Sequence, residues 1–356
     1  MKTNIIKAFA GYQQALYGLV LLALTGMAGC KKDTPVAQPS GPDNSSTIKY
    51  VLNDNFTFSV VYGALTKVSL QDSLANAGPY TFIAPDNGAY LLMNIPALVT
   101  PYSFQFFTSG TLKNMMRYYT IDGEIALKKL PLTENKPYKT HTGGNIYISK
   151  YLNGTDTVTT VNGLKFTSMD NATSNGFIQV IPQIMNAEVY LNAVSYLHND
   201  STLTLFSAAL QRSGLAASLL QGNEPYTLLA PSNMAFQQSA KLRLNLGVST
   251  LDSILMADPV KLTTFLKSHI IKGRYFDGDF FRYFKADPES IVTLNANKIT
   301  IGGNPAGFHA ITFVSNGNKG IPAAIAAPAA YNPTIINSNI PCGNAVVHII
   351  NRVLIP

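Results

Sequence analysis

Charge is scarce in this chain. Asp, Glu, Lys and Arg make up 13% of its 356 residues, about half the roughly 25% of an ordinary soluble protein. Its formal net charge is +7, and Lys2 and Lys7 at the extreme N-terminus supply two of those charges. The remaining cations form only isolated pairs, Lys31-Lys32 and Lys128-Lys129, which excludes nucleic acid as a partner. There is no Trp, so the strongest stacking surface for sugars is missing. Only two cysteines, Cys30 and Cys342, are present; a disulfide framework and a cysteine-based metal site are excluded once Cys30 is otherwise engaged. No Walker, Rossmann or G-x-S-x-G motif occurs, and the histidines lack the H-x-x-x-H spacing of a zinc pair. No catalytic residues, cofactor or metal are expected. The surface must then be covered by Asn, Thr, Ser, Gln and Tyr, a composition suited to contacts with neutral polymers and proteins outside the cell.

The N-terminus carries an export signal. Lys2 and Lys7 precede an apolar stretch through Leu16, Leu19, Val20, Leu21, Leu22 and Leu24, too short and interrupted to span a bilayer. Met27-Ala28-Gly29-Cys30 then resembles the lipobox cleaved before a lipidated cysteine. Residues 1–29 are therefore expected to be a lipoprotein signal peptide, with Cys30 as the lipidation site and the chain attached to a membrane through its N-terminal lipid anchor. Residues 30–47, rich in Pro, Ser, Gly and Asn, read as a flexible tether. The charged residues after Cys30 resemble the surface-export signal of some Gram-negative lipoproteins, which places the chain at the outer membrane.

The rest of the chain repeats itself. Pro79-Tyr80-Thr81-Phe82-Ile83-Ala84-Pro85-Asp86-Asn87-Gly88-Ala89-Tyr90 recurs 146 residues later as Pro225-Tyr226-Thr227-Leu228-Leu229-Ala230-Pro231-Ser232-Asn233-Met234-Ala235-Phe236. Tyr50, Asn53 and Asp54 return as Tyr196, Asn199 and Asp200, and Leu112, Met116 and Gly123 as Leu262, Leu266 and Gly273. Each unit closes on an apolar run, Gly176 to Ile181 and Ala345 to Ile350. Landmarks in the same order mean a duplicated domain, with a period far too long for a solenoid. The first block predicts a buried strand ended by proline, followed by a helix capped from Asp86-Asn87 or Ser232-Asn233. Leu262, Phe265, Leu266 and His269 share one helical face, with Gly273 past it at a position suited to positive φ. Alternating stretches with Asn162-Gly163 and Gly143-Gly144 turns predict antiparallel hairpins. The fold class is α+β, with helices early and strands late in each unit. Pro182 predicts that the first closing strand lies at a sheet edge or stops early.

These blocks together resemble the fasciclin (FAS1) domain: Thr81 to Tyr90 and Thr227 to Phe236 its first signature, Leu262 to Gly273 its second, Gly343 to Pro356 its closing strand. The resemblance implies two tandem FAS1-like domains, 48–188 and 189–356, each a wedge-shaped β-sandwich packed with several helices. It also implies a role in adhesion or extracellular matrix binding without catalysis. The family's second block usually has Tyr-His before its turn. Here the first domain has Tyr118-Tyr119 and the second Ser268-His269, so each copy keeps half of the pair. Tyr118, Tyr119 and His269, with Tyr331, are the candidate ligand-binding residues; the alternative for His269 is a core histidine bonded to backbone. Asp277-Gly278-Asp279 reads as a turn rich in Asp and Gly. The second domain carries a long insertion, 315–341, without evident secondary structure; it either shapes a binding face unique to this domain or is a passive insertion. The ligand is an extracellular protein or, in the alternative reading, a glycan captured by an accessory lipoprotein. Asp72-Ser73-Leu74, Asp156-Thr157-Val158, Asp200-Ser201-Thr202 and Asp252-Ser253-Ile254 resemble bacterial O-glycosylation sites.

Overall fold

The structure is a computed structural model that describes residues 46–222, 224–239, 248–286, 291–303, 311–318, 321–326 and 337–356. The expected signal peptide 1–29, most of the expected tether, Cys30 and Tyr331 lie outside the described residues. Residues 44–356 form one compact unit.

The first copy opens with helices Ile48–Asp54 and Ser59–Lys67. They lead into strand β1 (Tyr80–Pro85). Helices Asn87–Leu91 and Ser109–Tyr118 separate β1 from β2 (Thr120–Asp122). Strands β3 (Thr133–Lys139), β4 (Asn145–Asn153), β5 (Asp156–Val161), β6 (Leu164–Lys165), β7 (Ser168–Thr173) and β8 (Gly176–Ile181) follow. They make two four-stranded sheets, ordered β2-β1-β8-β7 and β3-β4-β5-β6. The β5–β6 turn is Asn162-Gly163, both at positive φ (47° and 78°), the geometry that a two-residue hairpin demands.

The second copy repeats the plan. Helices Ala193–Asn199, Thr204–Arg212 and Leu215–Gln221 precede β9 (Tyr226–Pro231). Helices Asn233–Ser239, Leu251–Met256 and Pro259–Lys267 lead to β10 (Ile270–Lys272), and helix Asp277–Ala286 follows. Strands β11 (Ile291–Val292), β12 (Lys298–Gly303), β13 (Ile311–Ser315), β14 (Ala323–Ala324), β15 (Ile340–Cys342) and β16 (Ala345–Ile350) complete it. The sheets are β10-β9-β16-β15 and β11-β12-β13-β14. In each copy the closing strand runs parallel to the strand of the first signature, Phe82 opposite Ile178 and Leu228 opposite Val347.

The two predicted caps are present: Asp86 Oδ1 accepts from the Ala89 amide (2.8 Å) and the Ser232 hydroxyl oxygen from Ala235 (3.2 Å). The asparagines beside them do something else. Asn87 Oδ1 accepts from the Val60 amide and Asn233 Oδ1 from the Leu205 amide, tying each signature helix to the start of an earlier helix. Gly123 and Gly273 have positive φ, but each follows the short strand β2 or β10 rather than a helix. Strand β8 is not an edge. It lies between β1 and β7 and is as long as β16, because Pro182 falls one residue beyond its last ladder partner. The first copy has its own apolar core, and the second is built on its own pair of clusters. Among the described residues no helix is long and apolar enough to cross a membrane.

Candidate functional site

Tyr118 and Tyr119 end the helix Ser109–Tyr118, and His269 lies two residues past the end of helix Pro259–Lys267. All three side chains are fully buried, so none presents its ring to a macromolecular ligand. The Tyr119 hydroxyl oxygen accepts from the Met185 amide (2.9 Å). His269 Nε2 accepts from the Leu354 amide (2.8 Å). That bond fixes the tautomer: Nδ1 carries the proton and donates to the Phe265 carbonyl (3.1 Å). Burial pushes the His269 pKa down to about 3, so the ring is neutral at any physiological pH, and burial raises the Tyr119 phenol well above its usual range.

Met185 and Leu354 each stand four residues beyond the last residue of their closing strands, β8 and β16. An aromatic hydrogen-bond acceptor therefore pins the tail of the closing strand in both copies, a tyrosine in one and a histidine in the other. The preceding residues share a second task. The Tyr118 hydroxyl donates to the Asn145 carbonyl (2.7 Å) and accepts from Asn162 Nδ2 (2.9 Å). The Ser268 hydroxyl accepts from Asn295 Nδ2 (2.6 Å). Each pair thus braces the helical half of its copy to the strand-rich half.

The residues that sequence reasoning missed lie where the copies meet. Tyr147, Phe276 and Val346 form a small apolar cluster with side chains from both. The Arg274 guanidinium stacks on the Tyr147 ring, 3.8 Å from its centroid, and donates to the Gly343 and Ala345 carbonyls (2.7 and 3.2 Å). The Tyr147 hydroxyl shares its one proton between Glu188 Oε1 (3.0 Å) and the Gly343 carbonyl (3.1 Å). Glu188 is 5% exposed, and its second oxygen accepts from the Asn145 amide. Asn135 Nδ2 donates to the Arg274 carbonyl (2.9 Å), and Arg282 pairs with Glu134 (2.9 Å) while lying over Tyr151. Backbones touch as well: a Cβ on Gly278 would sit 2.0 Å from the Gly163 carbonyl oxygen. Asp277-Gly278-Asp279 is therefore not the turn its composition suggests. It opens helix Asp277–Ala286 with both carboxylates buried. Asp279 accepts from the Phe276 amide (3.0 Å), and burial pushes its pKa up to about 7.

The insertion is tied down at its described flanks. Strand β14 pairs with β13, Ile325 bridges Ile350, and the Ser338 carbonyl accepts from Asn186 of the interdomain segment (2.9 Å). Among the described residues no group of three or more His, Cys, Asp or Glu is placed to hold a metal ion. Cys342 is buried, and burial raises its thiol pKa.

The fasciclin domain model matches residues 56–187 and again 201–356. The chain belongs to the fasciclin family. Among curated relatives, transforming growth factor-beta-induced protein ig-h3 of Sus scrofa is 27% identical over 81% of this chain and 36% of its own length. Human periostin is 23% identical over 94% of this chain and 34% of its own length. Protein sll1483 of Synechocystis is 27% identical over 52% of this chain and 98% of its own length. The chain thus spans about a third of the two animal relatives, 36% and 34%. A solved FAS1 domain pair from the insect cell adhesion molecule Fasciclin I matches at 15% identity and a TM-score of 0.39, over 85% of this chain and 98% of that one.

Proposed function

We propose that the protein is a non-catalytic, cell-surface lipoprotein that mediates adhesion or binds extracellular matrix proteins through its two FAS1-like domains. The observation that carries this reading is the locked pair itself. Arg274, Tyr147 and Glu188 hold two copies of a fasciclin domain in one arrangement, and a fixed pair presents one continuous surface to a partner at little ordering cost. The candidate residues Tyr118, Tyr119 and His269 support that surface from inside rather than forming it. The Fasciclin I pair comes from a cell adhesion molecule. Placement follows from the sequence: the signal peptide 1–29, lipidated Cys30 and the tether to residue 47 hold the pair at the outer membrane, facing outward. Two measurements test the reading. The intact mass of the protein isolated from its native envelope is expected to correspond to a chain beginning at an acylated Cys30; an unmodified N-terminus there removes the anchor. Cells carrying the protein are expected to attach or clump more than cells deleted for it, and equal attachment removes the adhesive role.

A further inference from the structure

We infer that the helical face of the first domain built from Phe56, Leu91, Leu92, Leu98, Tyr102 and Phe106 rests on a lipid bilayer, an inference that depends on the anchored reading above. All six side chains are exposed, from 46% at Leu92 to 76% at Leu98. Hydrogen bonds and packing link the segments that carry them. The Phe56 carbonyl accepts from Asn87 Nδ2 (2.6 Å), and Leu91 is four residues, one turn, beyond Asn87 on the same helix face. The segment after that helix runs beside helix Ser59–Lys67: the Ala97 carbonyl meets the Ser59 hydroxyl (2.8 Å), Val99 packs on Gly63, and the Pro101 carbonyl meets Lys67 Nζ (3.2 Å). With Val99 turned in, Leu98 faces out. Tyr102 and Phe106 follow four residues apart in a run of turns, while Phe104 points into the core.

Two features select a membrane as the occupant. The first is charge. The segments that build the face, 55–71 and 87–121, contain no carboxylate and three exposed cations, Lys67, Lys113 and Arg117. Apolar and aromatic side chains among cations suit the interface of an anionic bilayer. Four carboxylates border these segments: Asp72 pairs with Lys49, Asp122 with His141, Asp86 caps its helix, and Asp54 accepts from Asn53 Nδ2. The second copy also exposes apolar side chains, Leu251, Leu255, Met256 and Val260, but places exposed Asp252 and Asp258 among them. The second feature is reach. Only the 15 residues 31–45 stand between Cys30 and the first described residue, Ser46. From Ser46, helix Ile48–Asp54, about 10 Å long, leads directly to Phe56. The expected anchor at Cys30 is thus close in sequence to the segment that begins the apolar face.

Residues 46–356 contain both complete cores, so that fragment keeps every contact described and tests the face without the lipid. It is expected to float with vesicles of phosphatidylcholine and about one quarter phosphatidylglycerol. The triple change Leu98→Ser, Tyr102→Ser, Phe106→Ser is expected to lower the partition constant about tenfold or more. Leu255→Ser with Met256→Ser is expected to leave it unchanged. Circular dichroism and melting confirm that each variant is folded. No vesicle association by the native fragment, or equal association by the triple variant, overturns the inference. The mass of native Cys30 separates the two readings: an acylated Cys30 with a fragment that ignores vesicles overturns the face alone, and an unmodified Cys30 overturns the anchor on which the inference rests.

Discussion

At the scale of single residues, the copies solve one problem with different chemistry, and the differences are testable. Tyr119→Phe removes the acceptor for the Met185 amide and leaves that buried donor unpaired, so it is expected to cost about 1–3 kcal/mol of stability in denaturant unfolding. Tyr90 makes the opposite case. It is fully buried, its hydroxyl has no hydrogen-bond partner among the described residues, and the second copy has Phe236 at the equivalent position. Tyr90→Phe is expected to be neutral or to stabilise by up to about 1 kcal/mol. The two shifted titrations act in opposite directions. His269 has a folded pKa near 3 against 6.5, so its contribution is complete above pH 6.5 and is lost as pH falls towards 3. Asp279 has a folded pKa near 7 against 3.8, so its contribution is complete below pH 3.8 and is lost as pH rises through 7. Asp279→Asn keeps an oxygen for the Phe276 amide and removes the titration. It is expected to raise stability at pH 8 relative to the parent and to flatten the melting profile between pH 4 and 7. An unchanged profile would mean that Asp279 is ionised and well solvated.

At the scale of elements, the joint between the copies is where substitutions should act at a distance. Gly278→Val places its Cβ against the Gly163 backbone, where nothing can yield except the joint. It is expected to cost about 1–3 kcal/mol and to enlarge the radius of gyration in small-angle scattering. Arg274→Ala removes a stacked cation and two carbonyl contacts, and it is expected to cost about 2 kcal/mol with the same opening. Much of the fold was legible in sequence because it is written locally. Phe82-Ile83-Ala84-Pro85 names its own strand and its own stop, and Asn162-Gly163 its own hairpin. What sequence could not give was long-range pairing. Pro182 limits only the residue after β8 and says nothing of the neighbours that β8 finds on both sides. Asp277-Gly278-Asp279 has the composition of a turn, and only contact with Gly163 of the other copy buries it. Tyr118, Tyr119 and His269 are buried supports rather than the ligand-facing residues that the motif suggested. Their partners, Asn145, Met185 and Leu354, are too distant in the chain for spacing to reveal that the motif is a brace.

At the scale of the whole molecule, scarce charge, duplicated domains and a braced joint converge on a binding surface held in one shape. The family's signature residues stabilise that shape from within, so the proposed recognition rests on other, exposed residues. This account is tested most directly by presenting the 46–356 fragment to an array of immobilised matrix proteins and glycans. Saturable binding to protein, weakened in Arg274→Ala where the joint opens but each domain stays folded, is the predicted result. Saturable binding confined to glycans and competed by free sugar, or binding indifferent to the joint, would contradict it.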